Sequence, residues 1–134
     1  MEILTLNLLS PLFYIPIANP NPFEHSDGEE LYLFELDEIE QNKFEPDKNK
    51  LLNRLVSGGK KTANPPSAAL LSLPKGSYLF AQTRETLCRD DILSLAVELQ
   101  QEGLWQKLRL GKDLYIRYLY EDENFVTQIF RPIW

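Results

Sequence analysis

Leu114-Tyr115-Ile116-Arg117-Tyr118-Leu119-Tyr120 and Phe125-Val126-Thr127-Gln128-Ile129-Phe130-Arg131 flank a polar link, Glu121-Asp122-Glu123-Asn124. Two β-branched and aromatic runs joined by so short a polar segment read as a β-hairpin. Pairing Tyr120 with Phe125 sets the register. Ile116 then faces Ile129 and Tyr118 faces Thr127 on one side, while Tyr115–Phe130, Arg117–Gln128 and Leu119–Val126 share the other. Both sides are largely apolar, so one covers the core and the other is covered by a helix or offered to a partner. On that second side Arg117 and Gln128 form a polar pair among apolar neighbours. An arginine fork suits a carboxylate or a phosphate.

Ser77–Arg84 is a further strand with an apolar centre, Tyr78-Leu79-Phe80-Ala81. If it neighbours the hairpin, Gln82, Arg84, Arg117 and Gln128 line one polar, anion-binding site. The plainer expectation is that Arg117 pairs with an acid such as Glu98 or Glu121 and the glutamines face water.

Strands are also expected over Met1–Leu9, Leu12–Ile17 and Leu31–Leu36, each rich in residues that favour a pleated surface. Asp47 after Pro46 is suited to cap a helix over Lys48–Val56, with Leu51, Leu52, Leu55 and Val56 on one side. Ser57-Gly58-Gly59 would then end it. Ser67–Leu73 reads as one or two helical turns. A longer helix spans 88–102, its apolar face formed by Cys88, Ile92, Leu95, Ala96 and Leu99. Gly103 closes it, and Leu104–Leu110 follows as a turn anchored by Trp105. Strands cluster in sequence instead of alternating with helices. The expected class is α+β: a mostly antiparallel sheet of about five to six strands with two main helices packed on it and a C-terminal β-hairpin.

The chain has 134 residues, the usual size of a single domain. Charge is segregated along it. Residues 1–47 hold eleven acids and one base, a balance of −10; residues 48–134 carry +4, which brings the whole to −6. This sign argues against nonspecific nucleic-acid binding, which needs clustered Lys and Arg. The acidic stretch, with Glu29, Glu30, Glu35, Asp37 and Glu38, suits either a solvated strand edge or a docking face for a basic partner.

Few residues carry catalytic chemistry. Cys88 is the only cysteine, so no internal disulfide can form. A lone thiol fits a reducing, cytoplasmic setting. His25 is the only histidine and has no evident orienting partner. One His and one Cys do not make a zinc site. The acid pairs Glu29-Glu30 and Asp90-Asp91 and the run Glu121-Asp122-Glu123 lack the alternation of a calcium loop. Ser57-Gly58-Gly59-Lys60-Lys61-Thr62 resembles a phosphate loop only superficially: it has no upstream Gly, and prolines follow instead of a helix. Met1–Ala18 contains no Lys or Arg, and Asn7, Ser10, Pro11 and Pro16 interrupt it. It reads as buried strand, not as a leader or a membrane span.

These observations assign no catalytic residue, metal or cofactor. The expectation is an interaction or accessory module that binds another protein or a second copy of itself, with Tyr115 and Phe130 as anchors. The alternative is a small-molecule or nucleotide-binding protein, or an enzyme, using the Arg/Gln cluster.

Overall fold

A computed structural model describes residues 2–24, 28–61 and 70–134, without the side chain of Glu121. In chain order it contains β1 (Ile3–Leu8), β2 (Leu12–Pro16), β3 (Gly28–Leu36), a 3-10 turn (Glu40–Asn42), α1 (Lys48–Leu51) and β4 (Leu52–Lys60). β5 (Leu71–Leu73), β6 (Gly76–Thr83), α2 (Arg89–Trp105), β7 (Asp113–Glu121) and β8 (Asn124–Ile133) follow. The eight strands form one antiparallel half-barrel sheet in the order β1-β6-β8-β7-β3-β4-β2-β5.

Side chains alternate across this sheet and build two cores. On the outer face Tyr32, Phe34, Leu79, Ala81, Leu114, Ile116, Tyr118 and Ile129 pack beneath α2, which contributes Ile92, Leu93, Leu95, Ala96 and Leu99. On the inner face Leu31, Tyr78, Tyr115 and Phe130 meet Tyr14 of β2 and Leu71 and Leu73 of β5. β2 lies three places from β7 in the strand order, yet the Tyr14 hydroxyl touches Arg117. The sheet therefore curls, and its β2–β5 end folds over the inner face.

The hairpin has the register expected from its alternation, with Tyr120 opposite Phe125 and Arg117 opposite Gln128. Its second side is covered by the chain's own β2 and β5 and by no helix.

The expected α+β arrangement of five to six strands with two main helices is incorrect: the described residues form a mostly β structure of eight strands with one main helix. The largest departure is Lys48–Val56. Only Lys48–Leu51 is helical, capped by Asp47, whose side chain accepts from Asn49 N at 3.0 Å. The rest is β4, paired to β3 with two register shifts. Leu52 faces Leu36, Leu55 faces Phe34 and Ser57 faces Leu33, leaving Asn53 and Val56 as extra residues. Each bulge stretches the two-residue period of a strand to three. Leu52 and Leu55 thereby imitate helical spacing while lying on one face of a strand.

Ser57-Gly58-Gly59 is accordingly strand interior and ends no helix. Gly58 lies opposite Tyr32, and a Cβ there would stand 2.7 Å from the Tyr32 ring and 2.6 Å from Pro20 Cβ. Gly103 is likewise inside α2, where a Cβ would sit 2.5 Å from Leu110. Both glycines make room for a neighbour.

Leu71–Leu73 is strand where helical turns were expected, because it pairs with β2; Ser67–Ala69, the rest of that segment, lies outside the described residues. Cys88 is the exposed N-cap of α2 and takes no part in its apolar face. β1 is a half-exposed edge strand and is not buried. No helix among the described residues is long and apolar enough to cross a membrane.

Candidate functional site: a polar row and an outward aromatic pair

The alternation that buries Tyr115 and Phe130 also places Arg117, Gln128 and Gln82 side by side on the inner face, on β7, β8 and β6. Arg117 Nη1 donates to Gln128 Oε1 at 2.8 Å, and Gln128 Nε2 donates to Gln82 Oε1 at 2.8 Å. Arg84 stays outside this row. The β6–β8 pairing ends at Thr83, and Arg84 borders a separate cleft with Glu123, Asn124, Phe125 and Val126.

Arg117 does pair with an acid, but the acid described is Glu29 of β3 where Glu98 or Glu121 was expected; the side chain of Glu121 lies outside the described residues. Nη2 lies 3.1 Å from Glu29 Oε1, and Nε donates to Oε2 at 3.1 Å. The Tyr14 hydroxyl donates to the same Oε2 at 2.5 Å and accepts from Arg117 Nε at 3.1 Å. Burial, reinforced by the bond to Glu29, raises the Tyr14 pKa well above its ordinary value, so the proton stays on tyrosine. Lys61 stands 3.9 Å from Glu29 Oε2 and over the Tyr14 ring. Every nitrogen of Arg117 is thus engaged, and a carboxylate matches its charge.

The neighbouring cleft, of about 710 Å³, is lined by Glu29, Asp122 and Glu123 against Lys61 alone. Its charge repels an anion. The row is built to hold β2, β3, β7, β8 and β6 together.

The acidic segment is also mostly engaged. Glu30 is buried and accepts from the Tyr32 hydroxyl. Glu35 pairs with Arg54 at 3.2 Å. Asp37 accepts from the backbone of Ile39 and Glu40 at 2.9 Å, and those bonds hold its carboxyl below the usual range. Glu24, Glu38 and Glu45 are exposed, and no bond of their side chains is described. Tyr115 and Phe130, expected as interface anchors, are buried against Tyr78 with edge-on ring contacts at 6.3 and 5.7 Å. Neither reaches the surface.

Among the described residues no three His, Cys, Asp or Glu side chains gather to hold a metal. His25, Thr62 and the prolines of the Lys60–Pro66 loop lie outside the described residues. The Cys88 thiol lies 3.1 Å from Asp91 Oδ2 in the cap of α2.

A different surface carries large exposed apolar groups. Trp105 at the end of α2 is 77% exposed, and Phe44, in the loop before α1, is 51% exposed. They share two adjoining grooves of about 450 and 540 Å³, bordered by Ile3, Glu98, Gln101, Glu102, Leu104 and Lys107. The Phe44 loop is held from beneath. Arg131, 1% exposed, donates to Gly111 O at 2.6 Å and to Gln100 Oε1 at 3.1 Å. Gln100 Nε2 in turn donates to the carbonyls of Glu40 and Lys43 at 2.8 and 2.5 Å, and Gln101 Nε2 to Phe44 O at 3.0 Å. A buried guanidinium, pushed by desolvation down to about 10, thus sits behind the presentation of an exposed ring.

Trp105, expected to anchor a turn over Leu104–Leu110, is instead the exposed last residue of α2. Its signal was legible all the same: Trp105 lies six residues past Leu99, and at ~100° per residue that places it off the apolar stripe. Phe44 carried no such signal. No protein-family model and no curated protein matches this sequence.

Proposed function

We propose that this chain is a protein-interaction module whose docking surface is the Phe44–Trp105 patch and the outer face of α2. The observation that carries this reading is the outward pair itself: Trp105 at the end of α2 and Phe44 on the loop braced by the buried Arg131–Gln100 network, both bordering the same grooves. Aromatic residues on a preorganised support are the usual anchors of an interface, since little freedom is lost on binding. The exposed stripe of α2 supplies Asp90, Asp91 and Glu98 with Glu102 beside Trp105, against Arg89. The partner it fits is a basic segment with an apolar side chain for the groove. Complementary charge would speed its encounter.

The experiment is a pull-down with the wild-type chain, Trp105→Ala, and Glu98→Lys/Glu102→Lys, with circular dichroism confirming that each folds. A stoichiometric partner held by the wild type, lost with Trp105→Ala and weakened by salt and by charge reversal, supports the reading. A partner that all three retain places the interface elsewhere, and a wild type that holds none removes the reading.

A further inference from the structure

Two strands end this sheet, and they are guarded differently. β5 has three residues and is followed at once by Pro74. A short edge closed by proline resists pairing with another chain. β1 has six residues, Ile-Leu-Thr-Leu-Asn-Leu, all paired to β6 on one side without a register shift. Among the described residues its other edge has no neighbour in the strand order. Residues 3–8 contain no charge, no proline and no lysine, and β1 carries none of the devices that blunt an edge. Leu4, in its middle, is 48% exposed.

We propose that β1 is the seat of a symmetric homodimer, in which two copies join edge to edge across a two-fold axis at Leu6. This interface uses a different edge from the Phe44–Trp105 patch and adjoins it at Ile3, which borders one of the grooves. Register decides how two copies of β1 can meet. An antiparallel pair related by a two-fold axis opposes residues of the same face. With the axis at Leu6, Leu6 meets its own copy and Leu4 meets Leu8, which continues the apolar inner face where Leu6, Leu8 and Phe80 already pack. On the other face Thr5 meets Asn7, polar against polar. Glu2 meets Ser10, so two acidic chains join without opposing like charges. Moving the axis to Thr5 sets Ile3 against Asn7 and Glu2 against Leu8, a poorer match on both counts. A one-residue choice of register is decisive wherever the two faces differ this way. Leu4 is the residue that gains cover.

The test is sedimentation equilibrium of the purified chain with two variants. Leu4→Lys, at a half-exposed site, leaves the monomer folded and weakens the dimer about a hundredfold or more, because two lysines would be desolvated against leucine. Leu6→Cys in a Cys88→Ser background forms a disulfide dimer under mild oxidation, since directly opposed Cβ atoms lie about 5 Å apart. Thr5→Cys in that background, with its copy out of line, does not. A wild type that stays monomeric at its highest soluble concentration overturns the proposal. So does a dimer that withstands Leu4→Lys and gives no Leu6→Cys cross-link.

Discussion

Arg117 on β7 and Glu29 on β3 are diagonal neighbours: Arg117 lies directly opposite Leu31, two residues along β3 from Glu29. The diagonal is within reach of long side chains, and both partners meet through two contacts of 3.1 Å. The pair is nearly enclosed by Tyr14, Lys61 and Gln128.

Breaking that pair should cost stability and leave any partner binding unchanged. Arg117→Met and Glu29→Gln are each expected to lose about 1–3 kcal/mol, the range for bonds to charged groups. A double-mutant cycle by urea unfolding should return a coupling of about 1 kcal/mol or more. Phosphate or a nucleotide should not raise the melting temperature of the wild type. A clear rise that Arg117→Met abolishes would restore the anion-site reading.

Gly58→Ala tests whether Ser57-Gly58-Gly59 is strand interior. A methyl group would press on the Tyr32 ring at 2.7 Å and on Pro20. The expected loss is about 1–3 kcal/mol, the usual cost of overpacking. Tyr32→Leu/Gly58→Ala should recover part of it, which a helix-capping glycine would not allow.

Alkaline pH should unfold the protein through its tyrosines. Burial pushes Tyr78 and Tyr115 up to about 12 and raises Tyr14, Tyr32 and Tyr118 as well. The unfolded chain ionises them near 10, so the folded state holds more protons above that value. Their stabilising contribution is complete below pH 10 and is lost as pH climbs toward 12. Arg131, pushed down to about 10, works in the opposite sense, since its burial is relieved as it deprotonates. Five tyrosines outweigh one arginine. Tyrosinate absorbance should rise late, together with the loss of circular dichroism.

Trp105 and Trp134 are 77% and 83% exposed, so native fluorescence should resemble that of solvent-exposed indole and be readily quenched by acrylamide. In Trp134→Phe the remaining Trp105 signal should shift to the blue when a basic partner docks. An unshifted spectrum with bound partner would remove Trp105 from the interface.

Hairpin register, the long helix and the adjacency of Arg117 to Gln128 were legible in the residues alone, because alternation and helical spacing are local. β4 was not: the bulge at Asn53 shifted Leu52 and Leu55 into helical spacing, and only pairing with β3 reveals them as strand. Glu29 read only as part of an acidic edge or docking face, and the pairing of β3 with β7 is what sets it diagonally across from Arg117. The curl of the sheet buried Tyr115 and Phe130 under Tyr14, Leu71 and Leu73.

Local periodicity thus decided which residues share a face, since it depends only on neighbours along the chain. Which faces are covered, which acids are already paired and which aromatics remain outside depended on contacts between residues far apart in sequence. Tyr14 and Arg117 are 103 positions apart, and Gln100 and Glu40 are 60. Such contacts form only when the sheet curls and α2 packs against it, and on them rests the difference between a core tyrosine and the exposed Trp105.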